Sequence, residues 1–148
     1  MKKLLIQLCS ALLFLSIAGP KVLTNSSAKP PAIVSPLVGK WKWVDESQTQ
    51  SFDMQIKQDG NQLVGNYCDI ARNGNKIDCS EDEDHVSFTF PVTNANKFDF
   101  TFLSEFASGK GDAEITYDGT YITWHVTKEP LKEYYCPKDA KLKRVKKL

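Results

Sequence analysis

From Leu37 onward, apolar and polar residues alternate with a period of two rather than 3.6. Trp41 and Trp43 share one side of a segment whose other side carries Lys40 and Lys42. Phe52, Met54 and Ile56 alternate with Asp53, Gln55 and Lys57. The same alternation runs through Val86–Val92, Phe98–Phe102 and Ile122–Val126. A period of two predicts strands with one buried and one solvated face, the signature of antiparallel sheet. Asp59-Gly60, Asn73-Gly74 and Asp118-Gly119 lie between these segments. Such dipeptides tolerate the positive φ of a type I′ hairpin turn. Centring the turns on them predicts specific partners: Ile56 with Leu63, Met54 with Gly65, Phe52 with Tyr67, Ile115 with Ile122 and Ala113 with Trp124. The hairpin between the two Phe-rich segments needs an odd loop at Thr93-Asn94-Ala95, which would set Phe90 against Phe98, Phe88 against Phe100 and Val86 against Phe102.

The pattern predicts about eight consecutive strands and no helix. Consecutive hairpins close into an up-and-down barrel, which removes exposed sheet edges; a two-sheet β-sandwich is the alternative. Asp45–Ser51 and Ser104–Asp112 read as long loops at the barrel mouths. KDAKLKRVKK near the C-terminus has room for a last short strand before a basic tail.

The first residues break the pattern. Lys2 and Lys3 precede an almost uninterrupted apolar run from Leu4 to Ile17, and Ser16-Ile17-Ala18 supplies small residues at the positions a signal peptidase reads. Residues 1–18 therefore read as a secretory signal, too short for a comfortable membrane span of about 20 residues; a retained N-terminal anchor is the other reading. Leu8 is bulky where a lipid-attachment signal needs a small residue, so Cys9 does not read as a lipidation site. Residues 19–36, rich in Pro, Ser and Lys, read as a flexible linker, leaving 37–148 as the barrel domain with its basic tail. The expected location is periplasmic or secreted, with no stable membrane insertion after cleavage.

Export changes the reading of the cysteines. Cleavage leaves Cys68, Cys79 and Cys136, in a compartment where disulfides persist. Cys68 and Cys79 are equidistant from the Asn73-Gly74 turn, which predicts a bond between them. Counting outward from the turn makes them a hydrogen-bonded pair, with Cα atoms about 5.5 Å apart unless a bulge intervenes. Cys136 is then an odd thiol; pairing of Cys136 with either of the others is the rival arrangement. With the acidic residues beside it, the bonded hairpin reads as a rigid arm projecting from one end of the barrel.

Charge adds little. The formal net charge is +1 over 148 residues, and losing Lys2 and Lys3 with the signal makes it −1. That balance gives no case for nucleic acid, which needs a concentrated basic face. No GxSxG, HExxH or phosphate-binding glycine loop occurs, and no cysteine spacing fits zinc. The reading is therefore not an enzyme, with no catalytic residues, no metal site and no cofactor. His85 and His125 read as surface histidines. The acidic run Asp78-Cys79-Ser80-Glu81-Asp82-Glu83-Asp84 reads as a solvated loop, a weak cation site being the alternative. Asp69 falls opposite Asp78 in the predicted register. Like charges there are unfavourable and call for a cation, a bulge or a neighbouring Lys.

At Gly39-Lys40-Trp41 the chain resembles the calycin group, lipocalins and avidins, whose first strand carries Gly-x-Trp. The lipocalin resemblance implies a Trp at the barrel base beneath a late Arg, here Trp41 and Arg144. LVGKW and Gly65-Asn66-Tyr67 extend the similarity to avidins, in which a Tyr at the position of Tyr67 and a late-strand Trp, here Trp124, contact ligand. Trp43 and Val44 replace the polar start of the biotin loop, and the Phe98–Phe102 strand lacks a Trp. The resemblance thus implies the barrel over most of 37–145 and not a biotin site. Ala107-Ser108-Gly109 followed by DGTYITW is similar to a segment of periplasmic C-type lysozyme inhibitors. There, a loop Ser and a nearby basic residue enter the lysozyme cleft, which would make Ser108 and Lys110 the partner contacts.

Two functional readings follow. The first is an exported inhibitor or immunity-type protein that acts by protein–protein contact through barrel-mouth loops. The alternative is a calycin-like carrier of a small apolar ligand, with Trp41, Tyr67 and Trp124 either lining a cavity or filling the core. The sequence leaves open whether the barrel is hollow.

Overall fold

The computed structural model describes residues 34–80, 82 and 84–146. The predicted signal and the linker up to residue 33 lie outside these described residues. The strands are β1 (Gly39–Trp43), β2 (Ser51–Asp59), β3 (Gln62–Ala71), β4 (Lys76–Cys79), β5 (Phe88–Pro91), β6 (Lys97–Ser104), β7 (Gly109–Tyr117), β8 (Tyr121–Lys128) and β9 (Asp139–Arg144). All pairings are antiparallel. Eight strands close as β1-β2-β3-β5-β6-β7-β8-β9, with β9 returning to β1, and β4 is an extra strand paired to β3. This is the up-and-down barrel expected from the alternation. Ring closure rules out the sandwich.

The register differs from expectation in an instructive way. Ile56 pairs with Gly65, Met54 with Tyr67 and Phe52 with Asp69, while Tyr117 pairs with Ile122 and Ile115 with Trp124. Both hairpins have slipped by two residues from turns centred on Asp-Gly. In the second, Asp118 precedes the turn, and its Oδ1 accepts from Thr120 N at 2.8 Å and Tyr121 N at 2.7 Å. An Asp side chain that caps the turn amides favours this first position, leaving Gly to take positive φ next, as Gly60 does at 57° and Gly119 at 96°. A slip of two preserves which face each side chain takes, so the buried set is unchanged. Phe88 pairs with Phe102, again two residues from the expected register. Asn73-Gly74 behaves as predicted, with both residues at positive φ and Asn75 N donating to Arg72 O at 3.2 Å.

The Cys68–Cys79 hairpin is a part of the wall rather than a projecting arm. Strand β3 is long: its first half pairs with β5 (Gly65 with Phe88) and its second half with β4 (Cys68 with Cys79). Strands β4 and β5 thus occupy one position in the wall, interrupted by an excursion whose described residues include Ser80, Asp82 and 84–86. Cys68 and Cys79 are bonded, with Cα atoms 4.3 Å apart, closer than counting out of the turn predicts. Val86 lies in the excursion and is exposed instead of facing Phe102. The predicted mouth loop Ser104–Asp112 is mostly strand, because β6 runs to Ser104 and β7 begins at Gly109. The longer connection is 129–138, between β8 and β9.

The interior is filled by rings. Trp124 is fully buried, with Phe102, Phe52, Phe100, Tyr67 and Phe88 at centroid distances of 5.3, 5.6, 5.8, 6.0 and 6.3 Å. Phe88, Phe90, Phe98 and Phe100 add a second cluster with centroids 4.8–6.0 Å apart. Two glycines make this packing possible. A Cβ on Gly65 would lie 2.3 Å from the Phe88 ring, and one on Gly111 would lie 2.6 Å from Phe102. At the base, Trp41 Nε1 donates to Leu37 O at 2.9 Å, and the Arg144 guanidinium lies 4.4 Å from the Trp41 ring centroid. Arg144 also donates to the carbonyls of Pro36 and Val38. Trp41 and Arg144 thus stand together at this end of the barrel. Ser35, before β1, is also joined to the barrel: its N–H donates to Gln58 Oε1 at 3.0 Å.

Candidate functional site

At the end opposite Arg144, the connections 44–50, 72–75, 105–108 and 129–138 converge. Asn73 N donates to Thr49 O, joining the first two. Beneath them, the period-two rule places polar side chains inside the barrel. Asp69 on β3 and Asp78 on β4 are direct cross-strand partners, and both are 0% exposed. The predicted opposition of two carboxylates is real, but Asp78 belongs to the core and not to a solvated acidic loop.

Four donors stabilise the buried Asp78. Ser104 Oγ gives a hydrogen bond at 2.8 Å, Glu105 N one at 2.8 Å, Phe106 N one at 3.1 Å and Tyr135 N one at 3.3 Å. One side chain thereby ties β4 to the end of β6, to the 105–108 loop and to the 129–138 loop. Asp69 is supported differently. Its Oδ1 accepts from Gln50 Nε2 at 2.9 Å, and the same amide donates to Tyr135 O at 3.0 Å. Its Oδ2 has no hydrogen-bond partner among the described residues. Burial, reinforced by the facing Asp78, outweighs the Gln50 bond and pushes the Asp69 carboxyl up to about 7. Burial, with the Cys136 thiol and Asp78 close by, likewise pushes the Tyr67 phenol up. Cys136 is a buried free thiol whose proton is held by burial first and by Asp78 and Asp69 next.

Above this polar layer sits a braced set of rings and cations. Phe106 and Tyr135 meet edge-to-face at 4.6 Å. Lys76 Nζ lies 4.7 Å from the Phe106 centroid and 5.3 Å from that of Tyr135, and Arg72 lies 5.5 Å from Tyr135. From the excursion, His85 Nε2 approaches Glu105 Oε1 to 2.5 Å. Outside the rings is an open depression of about 730 Å³ between Gln50, Arg72, Asn73, Tyr134 and Tyr135. Leu131, on the 129–138 connection, is 99% exposed.

Ser108 closes the 105–108 loop at this mouth, exposed and at φ 51°. Lys110 stands on the outer wall beside Thr101 and Leu103. Trp41, Tyr67 and Trp124 are all buried core residues. Among the described residues, no group of three or more His, Cys, Asp and Glu side chains is placed to hold a metal ion. Sequence reasoning missed Gln50, Arg72, Lys76, Phe106 and Tyr135. The signal that pointed toward them was the improbable Asp69–Asp78 opposition, which required donors from somewhere.

In comparisons with known proteins, the chain matches no family model, no curated sequence and no solved structure.

Proposed function

We propose that this chain is an exported, non-enzymatic binding module of calycin-like architecture, whose partner is a protein engaged through the mouth loops, as an inhibitor or immunity-type protein would be. The observation that carries this reading is the bracing of the loops. Asp78 alone fixes backbone groups at Glu105, Phe106 and Tyr135, and Lys76 and Arg72 brace the rings above. Loops ordered before binding lose little entropy when they dock, and that supports affinity from a small surface. Exposed Leu131 and the half-buried rings of Phe106 and Tyr135 offer the apolar contacts that interface centres favour. The bond between Cys68 and Cys79 supports placement in an oxidising compartment, the periplasm or the exterior. The ring-filled interior favours this reading over the carrier, which needs an apolar cavity of about 300 Å³ or more.

The test is capture of partners from the periplasm of the native host on the immobilised protein. Tyr135→Ala and Leu131→Asp should each abolish capture of a specific protein while leaving the fold intact. If both variants retain the same partner as the parent, the mouth is not the interface. The lysozyme-inhibitor version is checked separately: no slowing of any lysozyme, with Ser108→Ala and Lys110→Ala both silent, removes it.

A further inference from the structure

The outer wall formed by β1 and β9 has an unusual charge distribution. Lys40 and Lys42 point outward from β1, and Lys141 and Lys143 point outward from β9. Lys42 and Lys143 are direct cross-strand partners. Lys141 and Lys143 are two apart on one face, as are Lys40 and Lys42, so four ammonium groups share one patch, bordered on β2 by Asp53, the cross-strand partner of Lys42. Like charges directly opposite destabilise a sheet. On the β6–β7 wall the like-charged partners Asp99 and Glu114 have a counter-ion, Lys97 Nζ, 2.5 Å from Glu114 Oε2. Among the described residues, only Lys42 of the four has a carboxylate within ion-pair distance, Glu46 at 2.9 Å. Lys141 Nζ instead rests 4.2 Å from the Tyr121 ring centroid. Lys146 lies just beyond, where the chain leaves β9.

We infer that the β1–β9 wall is a peripheral docking surface for anionic phospholipid headgroups, separate from the mouth. Charge complementarity is the ground for the choice, and the residue type refines it. Lysine ammonium groups are mobile point charges without the planar fork that orients a single carboxylate or phosphate. The nearby Arg144 has its guanidinium committed to the Pro36 and Val38 carbonyls and to Trp41. Tyr121 is covered by Lys141, so the patch offers no free ring on which nucleic-acid bases would stack. A spread of mobile cations on an open sheet face suits a diffuse layer of headgroup phosphates.

The experiment is vesicle co-sedimentation of the full chain recovered from an exporting host. Vesicles of equimolar phosphatidylglycerol and phosphatidylcholine are compared with pure phosphatidylcholine, at low and high salt. Each lysine near an anionic surface contributes about fivefold. Lys42→Gln/Lys143→Gln should therefore weaken binding to the anionic vesicles by about 25-fold. Lys42→Arg/Lys143→Arg should retain it, and Lys97→Gln/Lys128→Gln, the same charge change away from the wall, should leave it unaltered. High salt should abolish the difference between the two vesicle types. Unfolding curves matching the parent's establish that the Gln variant is folded. Equal binding to neutral vesicles, or full binding by the folded Gln variant, overturns the inference. So does retention on double-stranded DNA at a salt concentration that releases the anionic vesicles, which would mark a nucleic-acid surface instead.

Discussion

Replacing Asp69 by Asn tests the account of the barrel mouth most directly. In the folded chain the Asp69 carboxyl is raised from 3.8 to about 7, chiefly by burial. A group whose pKa is raised by folding binds its proton more tightly in the native state. Stability from that proton is complete below about pH 4 and is lost as pH rises through about 7. A shift of about three units, at 1.36 kcal/mol each, puts the loss at about 4 kcal/mol. Asparagine keeps the shape and an acceptor for Gln50 but cannot ionise. The expected outcome is that urea unfolding of the parent, followed by the fluorescence of buried Trp124, shows stability falling between pH 5 and pH 8. Asp69→Asn should remove most of that slope and be the more stable protein at pH 8, by up to about 4 kcal/mol. Carboxylates held low by folding, such as Asp118 with its two turn amides, act in the opposite direction and in a separate window, below about pH 4. A parent whose stability is flat or rises from pH 5 to pH 8, or an Asn variant weaker than the parent at pH 8, would refute the burial argument.

Three further predictions rest on the scaffold. Cys68→Ser/Cys79→Ser should cost about 3 kcal/mol of stability, the loop-entropy value for so short a closed loop, and should make the thermal midpoint insensitive to reductant. A parent already insensitive to reductant would count against the bond. Gly65→Ala and Gly111→Ala should each cost about 1–3 kcal/mol by overpacking against Phe88 and Phe102, and Phe88→Leu should rescue the first but not the second in melting experiments. Arg144→Leu should cost about 1–3 kcal/mol through the lost bonds to Pro36 and Val38. It should also speed amide exchange at Val38–Trp41 more than at the mouth.

Much of the fold was legible because β-sheet parity is a local property. The inward set Phe52, Met54, Ile56, Phe98, Phe100, Ile122 and Trp124 follows from alternation alone, and all are buried. Turn centres were less legible. Asp-Gly can be read as the two central turn residues or as the first residue and its successor, and side-chain capping by Asp118 decides for the second. The slip went unpunished at the level of faces because it was even. Sequence could not show that β4 and β5 share one wall position, since that depends on β3 pairing with both. Reading the cysteine hairpin as an arm followed from the missing β3–β5 pairing.

The mouth failed to be legible for a different reason. Parity correctly put Asp69 opposite Asp78, yet local reasoning treated that as a conflict to be relieved by a cation, a bulge or a neighbouring Lys. The structure resolves it with two unlike environments: Asp78 takes four donors from two distant segments, while Asp69 takes one and its carboxyl is pushed up by burial. Separations of 26 to 57 residues lie between Asp78 and those donors, beyond any local pattern. Buried polar groups that violate the local rules cost stability and tend to mark sites where something besides stability was retained. Here the violation orders the 105–108 and 129–138 loops, whose own sequences carry little turn chemistry beyond Ser108 at positive φ and the prolines at 130 and 137. The buried carboxylate therefore does for these loops what a hairpin turn does elsewhere in the barrel. Removing it should loosen the mouth while leaving the ring-filled core in place.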